Sequence, residues 1–143
     1  MNVNWKGMLP IEGTVIIVED DPTLRSLMTD ILSEVGANTL AFVTADDALT
    51  HLLENHGQCP LVIVDQSLPG QVQGAEFIVM LQGKWPLIAS ILTSGYLLDP
   101  TQVPASTIYL QKPFSLDDLV IAVATLLQPG HPIHQISSQR TDS

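Results

Sequence analysis

A single cysteine, Cys59, stands in 143 residues. It cannot close an intramolecular disulfide, so the staple that small secreted domains rely on is missing and a reducing compartment is expected. Followed by Pro60 and an apolar run, the thiol reads as a small buried hydrophobe rather than a nucleophile. Cations are scarce as well. Five Lys and Arg face fifteen Asp and Glu, a formal charge of −10, and Lys6, Arg25, Lys84, Lys112 and Arg140 are scattered along the chain. A phosphate backbone or an anionic membrane surface would be repelled, so direct nucleic-acid binding and membrane binding are disfavoured. No window reaches the eighteen or more apolar residues of a spanning helix, and residues 1–12 lack the apolar stretch of a signal peptide. A cytoplasmic location is the expectation. Internal repeats and low-complexity blocks are also missing.

What is present builds a core: hydrophobic residues make up 45% of the chain and charged ones 14%. A chain of this length forms about one domain and buries roughly 68% of its unfolded surface. Composition divides it into an N-terminal extension over 1–12, a working domain over 13–127 and a flexible tail over 128–143. The tail carries Pro129, Gly130, Pro132 and three Ser without apolar periodicity.

Within the domain, Val15-Ile16-Ile17-Val18 and Leu61-Val62-Ile63-Val64 are apolar at every position, as strands covered on both faces must be. Residues 87–92 and 107–110 predict two further strands, and residues 38–42 an edge strand. Helical spacing connects them. Leu24, Leu27, Met28, Ile31, Leu32 and Val35 form one stripe, stopped by Gly36. Ala45, Ala48, Leu49, Leu52 and Leu53 form a second, and Phe77, Met80 and Leu81 a third. The last helix starts at the N-cap Ser115 and carries Leu116, Leu119, Val120, Val123, Leu126 and Leu127. Only residues 96–106 remain for the fourth crossover. Pro100 and Pro104 restrict it to about one turn, capped by Asp99. The expected fold is α/β: a doubly wound, five-stranded parallel sheet sandwiched by helices, with a short or irregular fourth helix.

In an open parallel sheet, ligands bind beyond the carboxyl ends of the strands. Glu19-Asp20-Asp21 follow the first strand, Asp65 the third, Thr93-Ser94 the fourth and, one residue on, Lys112 the fifth. Clustered carboxylates call for a hard divalent ion such as Mg²⁺, and an ammonium with a hydroxyl suits a phosphoryl group. An Asp carboxylate can itself accept that group. Asp65, alone at the end of a buried strand and followed by Gln66-Ser67-Leu68-Pro69-Gly70, is the best candidate acceptor.

These motifs, with Ile91-Leu92-Thr93-Ser94-Gly95-Tyr96 and Tyr109-Leu110-Gln111-Lys112-Pro113-Phe114, resemble those of the receiver domains of two-component response regulators, a flavodoxin-like fold. The resemblance spans residues 14–127. It implies phosphorylation of Asp65 by a sensor histidine kinase or phosphotransfer protein. It also implies Mg²⁺ on Asp20, Asp65 and the Gln66 backbone carbonyl, with Glu19 acting through water. Lys112 would pair with the phosphoryl group, and its bond to Pro113 would be cis. Ser94 would be the switch hydroxyl, with Thr93 as runner-up because the loop over 69–74 is one residue longer than usual. Tyr109 would be the aromatic that turns inward. The expected protein is a stand-alone switch that catalyses at most its own phosphorylation and dephosphorylation and acts on an unidentified downstream protein. Two rivals stay open. One is an interaction domain of the same fold that works without phosphorylation. The other is a phosphatase of the haloacid dehalogenase type, which wants a second acid where Ser67 stands.

Overall fold

The computed structural model describes residues 5–136. Its main sheet has five parallel strands in the order β3-β2-β4-β5-β6. These are β2 (Thr14–Val18), β3 (Asn38–Phe42), β4 (Leu61–Asp65), β5 (Ala89–Ser94) and β6 (Thr107–Gln111). Helices α1 (Pro22–Glu34), α2 (Ala45–Glu54), α3 (Gly74–Lys84) and α4 (Leu116–Leu127) complete the expected doubly wound α/β fold.

The alternation of side chains along a strand sorts the apolar runs into two cores. Ile16, Val18, Val62, Val64 and Leu92 pack with Ala48 and Leu52 of α2 and Phe77 and Leu81 of α3. Val15, Ile17, Leu61, Ile63 and Ile91 pack on the opposite side with Met28 and Leu32 of α1 and Leu119 and Val123 of α4. Fully buried side chains of this size each contribute roughly 1.5–3 kcal/mol, so β2 and β4 are the strands on which both layers depend.

Helix ends follow their local chemistry. Asp21 caps α1 by accepting from Thr23 N and Leu24 N, Thr44 caps α2, and Ser115 caps α4. Gly36, just past α1, has φ +92°, a conformation that excludes most side chains. Gly74 opens α3 because the helix meets the end of β4 there, and a Cβ would run into the Asp65 carbonyl.

Several details differ from the sequence reading. The fourth strand begins at Ala89, not residue 87, and Leu87, beyond Pro86, is 96% exposed. Leu27 and Met80 leave their stripes for solvent, and Ile78 takes the core position in α3. The fourth crossover holds a single 3₁₀ turn, Pro100–Gln102, capped by Asp99. Leu98 is buried there, and Val103 and Tyr109 pack beside it against the α2–α3 core. Three side chains thereby cover a sheet face that a full crossover helix would otherwise shield.

The described parts of the N-terminal extension and the tail meet each other and one of the cores. β1 (Trp5–Lys6) pairs antiparallel with β7 (His134–Gln135), and Trp5, Met8, Ile11 and Ile133 pack on the α1–α4 core. Gln128 ties this clasp together: its Oε1 accepts from Leu9 N at 2.9 Å, and its Nε2 donates to the Gly7 and His131 carbonyls at 2.8 and 2.7 Å. Two-residue strands carry no readable period, which is why composition alone made these segments look frayed. Residues 1–4 and 137–143 of the extension and tail lie outside the described residues.

Two stability measurements check this packing. Gly74→Ala should cost about 1–3 kcal/mol by overpacking. Gly83→Ala in the same helix, where a Cβ meets nothing within 4 Å, should be neutral or gain up to about 1 kcal/mol. Ser90, buried in β5 with no partner for its hydroxyl, should tolerate Ala with a gain of about 1 kcal/mol. Urea midpoints of the three variants decide both points.

Candidate functional site

The parallel strands deliver their carboxyl ends to one rim. β2 continues into Glu19 and Asp20, β4 ends in Asp65, β5 ends in Thr93 and Ser94, and Lys112 follows β6. The ladder runs on at the rim, with Gln66 N donating to the Thr93 carbonyl and Lys112 N to the Ser94 carbonyl. Carboxylate oxygens of Glu19, Asp20 and Asp65 lie within 4.8 Å of one another. Lys112 Nζ sits among them, 2.9 Å from Glu19 Oε1 and 3.2 Å from Asp65 Oδ1. The Lys112–Pro113 peptide is cis, as the sequence motif implied.

Burial raises the Glu19 pKa, and neighbouring Asp65 adds to the rise, against the Asp21 N–H and Lys112, which lower it. Burial pulls the Lys112 ammonium down, but hydrogen bonding and attraction from Glu19 and Asp65 outweigh it, and the net shift is upward. By formal count the group holds three carboxyl side chains against one amine. Glu19, 1% exposed, pairs through Oε1 with Lys112 Nζ at 2.9 Å. An all-oxygen donor set of three clustered carboxyl groups fits a hard divalent cation.

Loop positions are fixed from several directions. Arg25 Nη1 donates to the Glu19 carbonyl at 2.9 Å. Asp46 of α2 accepts from Gln71 N and Val72 N, and the Gln73 side chain bonds both backbone groups of Leu68. Gln66 is held at three points: its N–H by Thr93, its carbonyl by Gly74 N at 3.1 Å, and its side-chain oxygen by Ala75 N at 2.8 Å. The second lone pair of its carbonyl is left for another partner. Sequence reasoning missed Arg25, Asp46 and Gln73. Asp46 reaches across 25 residues, and no local pattern signals such a contact.

The two candidate hydroxyls part company. Thr93 Oγ1 donates to Asp65 Oδ1 at 3.1 Å. Ser94 Oγ instead donates to the Tyr96 carbonyl at 2.7 Å, which also accepts from the Tyr109 hydroxyl at 2.9 Å. The latter hydroxyl accepts from Leu98 N at 3.3 Å. Asp21, the third acid of the run, is occupied as the α1 cap. Cys59 is half-buried, and burial pushes its thiol pKa up, in keeping with an inert role.

A doubly wound sheet of this strand order, with acids and one lysine gathered at its rim, defines a class of signalling domain, and sequence comparison agrees. The response regulator receiver domain model matches residues 15–124, and the chain belongs to that family. An NtrX-like response regulator of Rickettsia bellii is 31% identical over 112 residues, covering 75% of this chain and 23% of that protein. The chain thus spans about a quarter of the length of that relative. PilG of Pseudomonas aeruginosa is 22% identical over 129 residues and is covered over 93% of its length, against 86% of this chain. Among solved structures, a receiver protein from Sinorhizobium medicae superposes with a TM-score of 0.75 at 20% identity, over 81% of this chain and 94% of that one. The receiver domain of the hybrid histidine kinase CckA gives 0.70 at 27%, over 81% and 100%. Among the described residues, no helix is long and apolar enough to cross a membrane.

The raised pKa of Glu19 gives a pH test with a definite sign. The folded state binds that proton more tightly than the unfolded chain, so stability falls as pH rises from about 4.5 through the folded value, and the cost persists at neutral pH. Glu19→Gln should therefore melt higher than the parent at pH 7. The gain should shrink as pH approaches 4.5. Thermal melts across that range, without divalent ions, read it directly.

Proposed function

We propose that this receiver domain is a phospho-acceptor switch in which a sensor histidine kinase or histidine phosphotransfer protein phosphorylates Asp65. The supporting observation is the constellation itself: Lys112 Nζ 3.2 Å from Asp65 Oδ1, within a carboxylate group whose oxygens span no more than 4.8 Å. A carboxylate oxygen of Asp65 attacks phosphorus. The P–N bond of the donor phosphohistidine breaks, and its electron pair returns to the imidazole nitrogen. The Lys112 ammonium lies where negative charge builds on the phosphoryl oxygens.

Asp20, Asp65 and the Gln66 carbonyl would hold Mg²⁺, with Glu19 acting through water. When bound, Mg²⁺ supplies charge neutralisation on the phosphoryl oxygens. The chain's own contribution is to keep these oxygens fixed through Arg25, Gln66 and the Asp46-held loop. Ser94 would turn from the Tyr96 carbonyl toward the phosphoryl group and Tyr109 would follow it inward, changing the surface at the stunted crossover. A downstream protein in the cytoplasm would read that change. Charge makes direct reading by nucleic acid unfavourable. The domain turns over no substrate beyond its own aspartyl phosphate, which it hydrolyses slowly.

Incubation with acetyl phosphate and Mg²⁺ should add one phosphoryl group, measured by intact-protein mass spectrometry. Chelation or Asp65→Asn should abolish it, and Lys112→Ala should slow it by roughly 100-fold. No uptake would favour the phosphorylation-independent interaction domain. Turnover of unrelated phosphoesters would instead indicate a phosphatase.

A further inference from the structure

The two cationic or hydroxyl donors that reach Asp65 converge on one of its oxygens. Thr93 Oγ1 is 3.1 Å from Oδ1, and Lys112 Nζ is 3.2 Å from the same atom. Thr93 is the direct register neighbour of Asp65 across β4 and β5, so their side chains leave the sheet on the same face. It is 1% exposed and β-branched, which restricts its χ1 and fixes the hydroxyl. Neither donor touches Oδ2. The carboxylate is held asymmetrically, with one oxygen engaged and the other left for chemistry.

We propose that Thr93 is a rate-setting residue of the phosphoryl cycle: by donating to Oδ1 it leaves Oδ2 to carry the phosphoryl group, and it shortens the life of the resulting acyl phosphate. This rests on Asp65 being the acceptor. In hydrolysis, a bond forms between water oxygen and phosphorus while the P–Oδ2 bond breaks. The released electron pair returns to the carboxylate and spreads onto Oδ1, and inorganic phosphate takes the water's proton away. Negative charge on Oδ1 grows as the P–Oδ2 bond lengthens, so a hydroxyl aimed at Oδ1 binds the transition state more strongly than the acyl phosphate. Phosphoryl transfer passes through a loose transition state in which the carboxylate retains most of its charge. The Thr93 bond therefore affects breakdown far more than formation.

The test uses the full chain, phosphorylated with acetyl phosphate and Mg²⁺ and freed of donor, with the remaining aspartyl phosphate followed over time. Thr93→Val, which keeps the shape and removes the donor, should lengthen the half-life roughly three- to tenfold, as expected for loss of one hydrogen bond. Its phosphorylation rate should change less than its half-life. Thr93→Ser, which keeps the donor, should stay within about twofold of the parent, a rescue that a purely structural role does not predict. If Thr93→Val fails to fold, Thr93→Ala carries the same expectation. A half-life in the donor-free variant equal to or shorter than the parent's, or lengthened as much by Thr93→Ser, overturns the proposal while leaving Asp65 as acceptor. Failure of the parent protein to be phosphorylated removes the acceptor reading and this inference with it.

Discussion

The rim of this sheet depends on one electrostatic arrangement, a single ammonium serving two buried or nearly buried carboxylates. Lys112 lies 2.9 Å from Glu19 and 3.2 Å from Asp65, and among the described residues no other lysine pairs with the group. Without it, the low dielectric at the strand ends would drive one of the acids to protonate. With it, two of the carboxylates share one ion-pair partner. Three carboxylates against one ammonium is an arrangement that suits a hard divalent cation. The rest of the fold is concerned with holding this imbalance in place. Two apolar cores clamp β2 and β4, while Arg25, Asp46 and Gln66 fix the loops that those strands release.

The distribution of rigidity follows from the same layout. On the β2–β4 side, the loop groups are tied to helices, by the Arg25 and Asp46 side chains and by the Ala75 backbone N–H. On the β5–β6 side, one 3₁₀ turn and three packed side chains replace a helix. Conformational change is cheapest where backbone hydrogen bonds and buried area are fewest, and here that region adjoins Ser94 and Tyr109. At the opposite end of the chain's path, the Gln128 clasp closes the α1–α4 core. Catalytic geometry and adaptable surface are thereby assigned to neighbouring but separate parts of one rim.

Much of this was legible from local pattern. Val15–Val18 and Leu61–Val64 announce central strands because burial on both faces demands unbroken apolar character. Asp65 and Lys112 are legible because topology, once inferred, places every strand end at one rim. Thr93 and Ser94 could not be told apart in this way. Which of them faces Asp65 depends on register across β4 and β5, and a shift of one residue reverses the answer. Leu27 and Met80 fit a helical stripe yet face water, since a stripe's edges are set by what packs opposite. The clasp was invisible because two-residue strands have no period, and a buried Gln among prolines resembles a linker until its three hydrogen bonds are seen.

The Tyr96 carbonyl oxygen has two lone pairs, and both are engaged, one by Ser94 and one by Tyr109. Departure of either hydroxyl alone leaves the loop fastened by the other, at a strength of about 1 kcal/mol. The Ser94 and Tyr109 hydroxyls also accept from Tyr96 N and Leu98 N, so each fastens the segment through two bonds. Two donors on one acceptor atom thus tie the end of β5 and the middle of β6 to the same point of backbone.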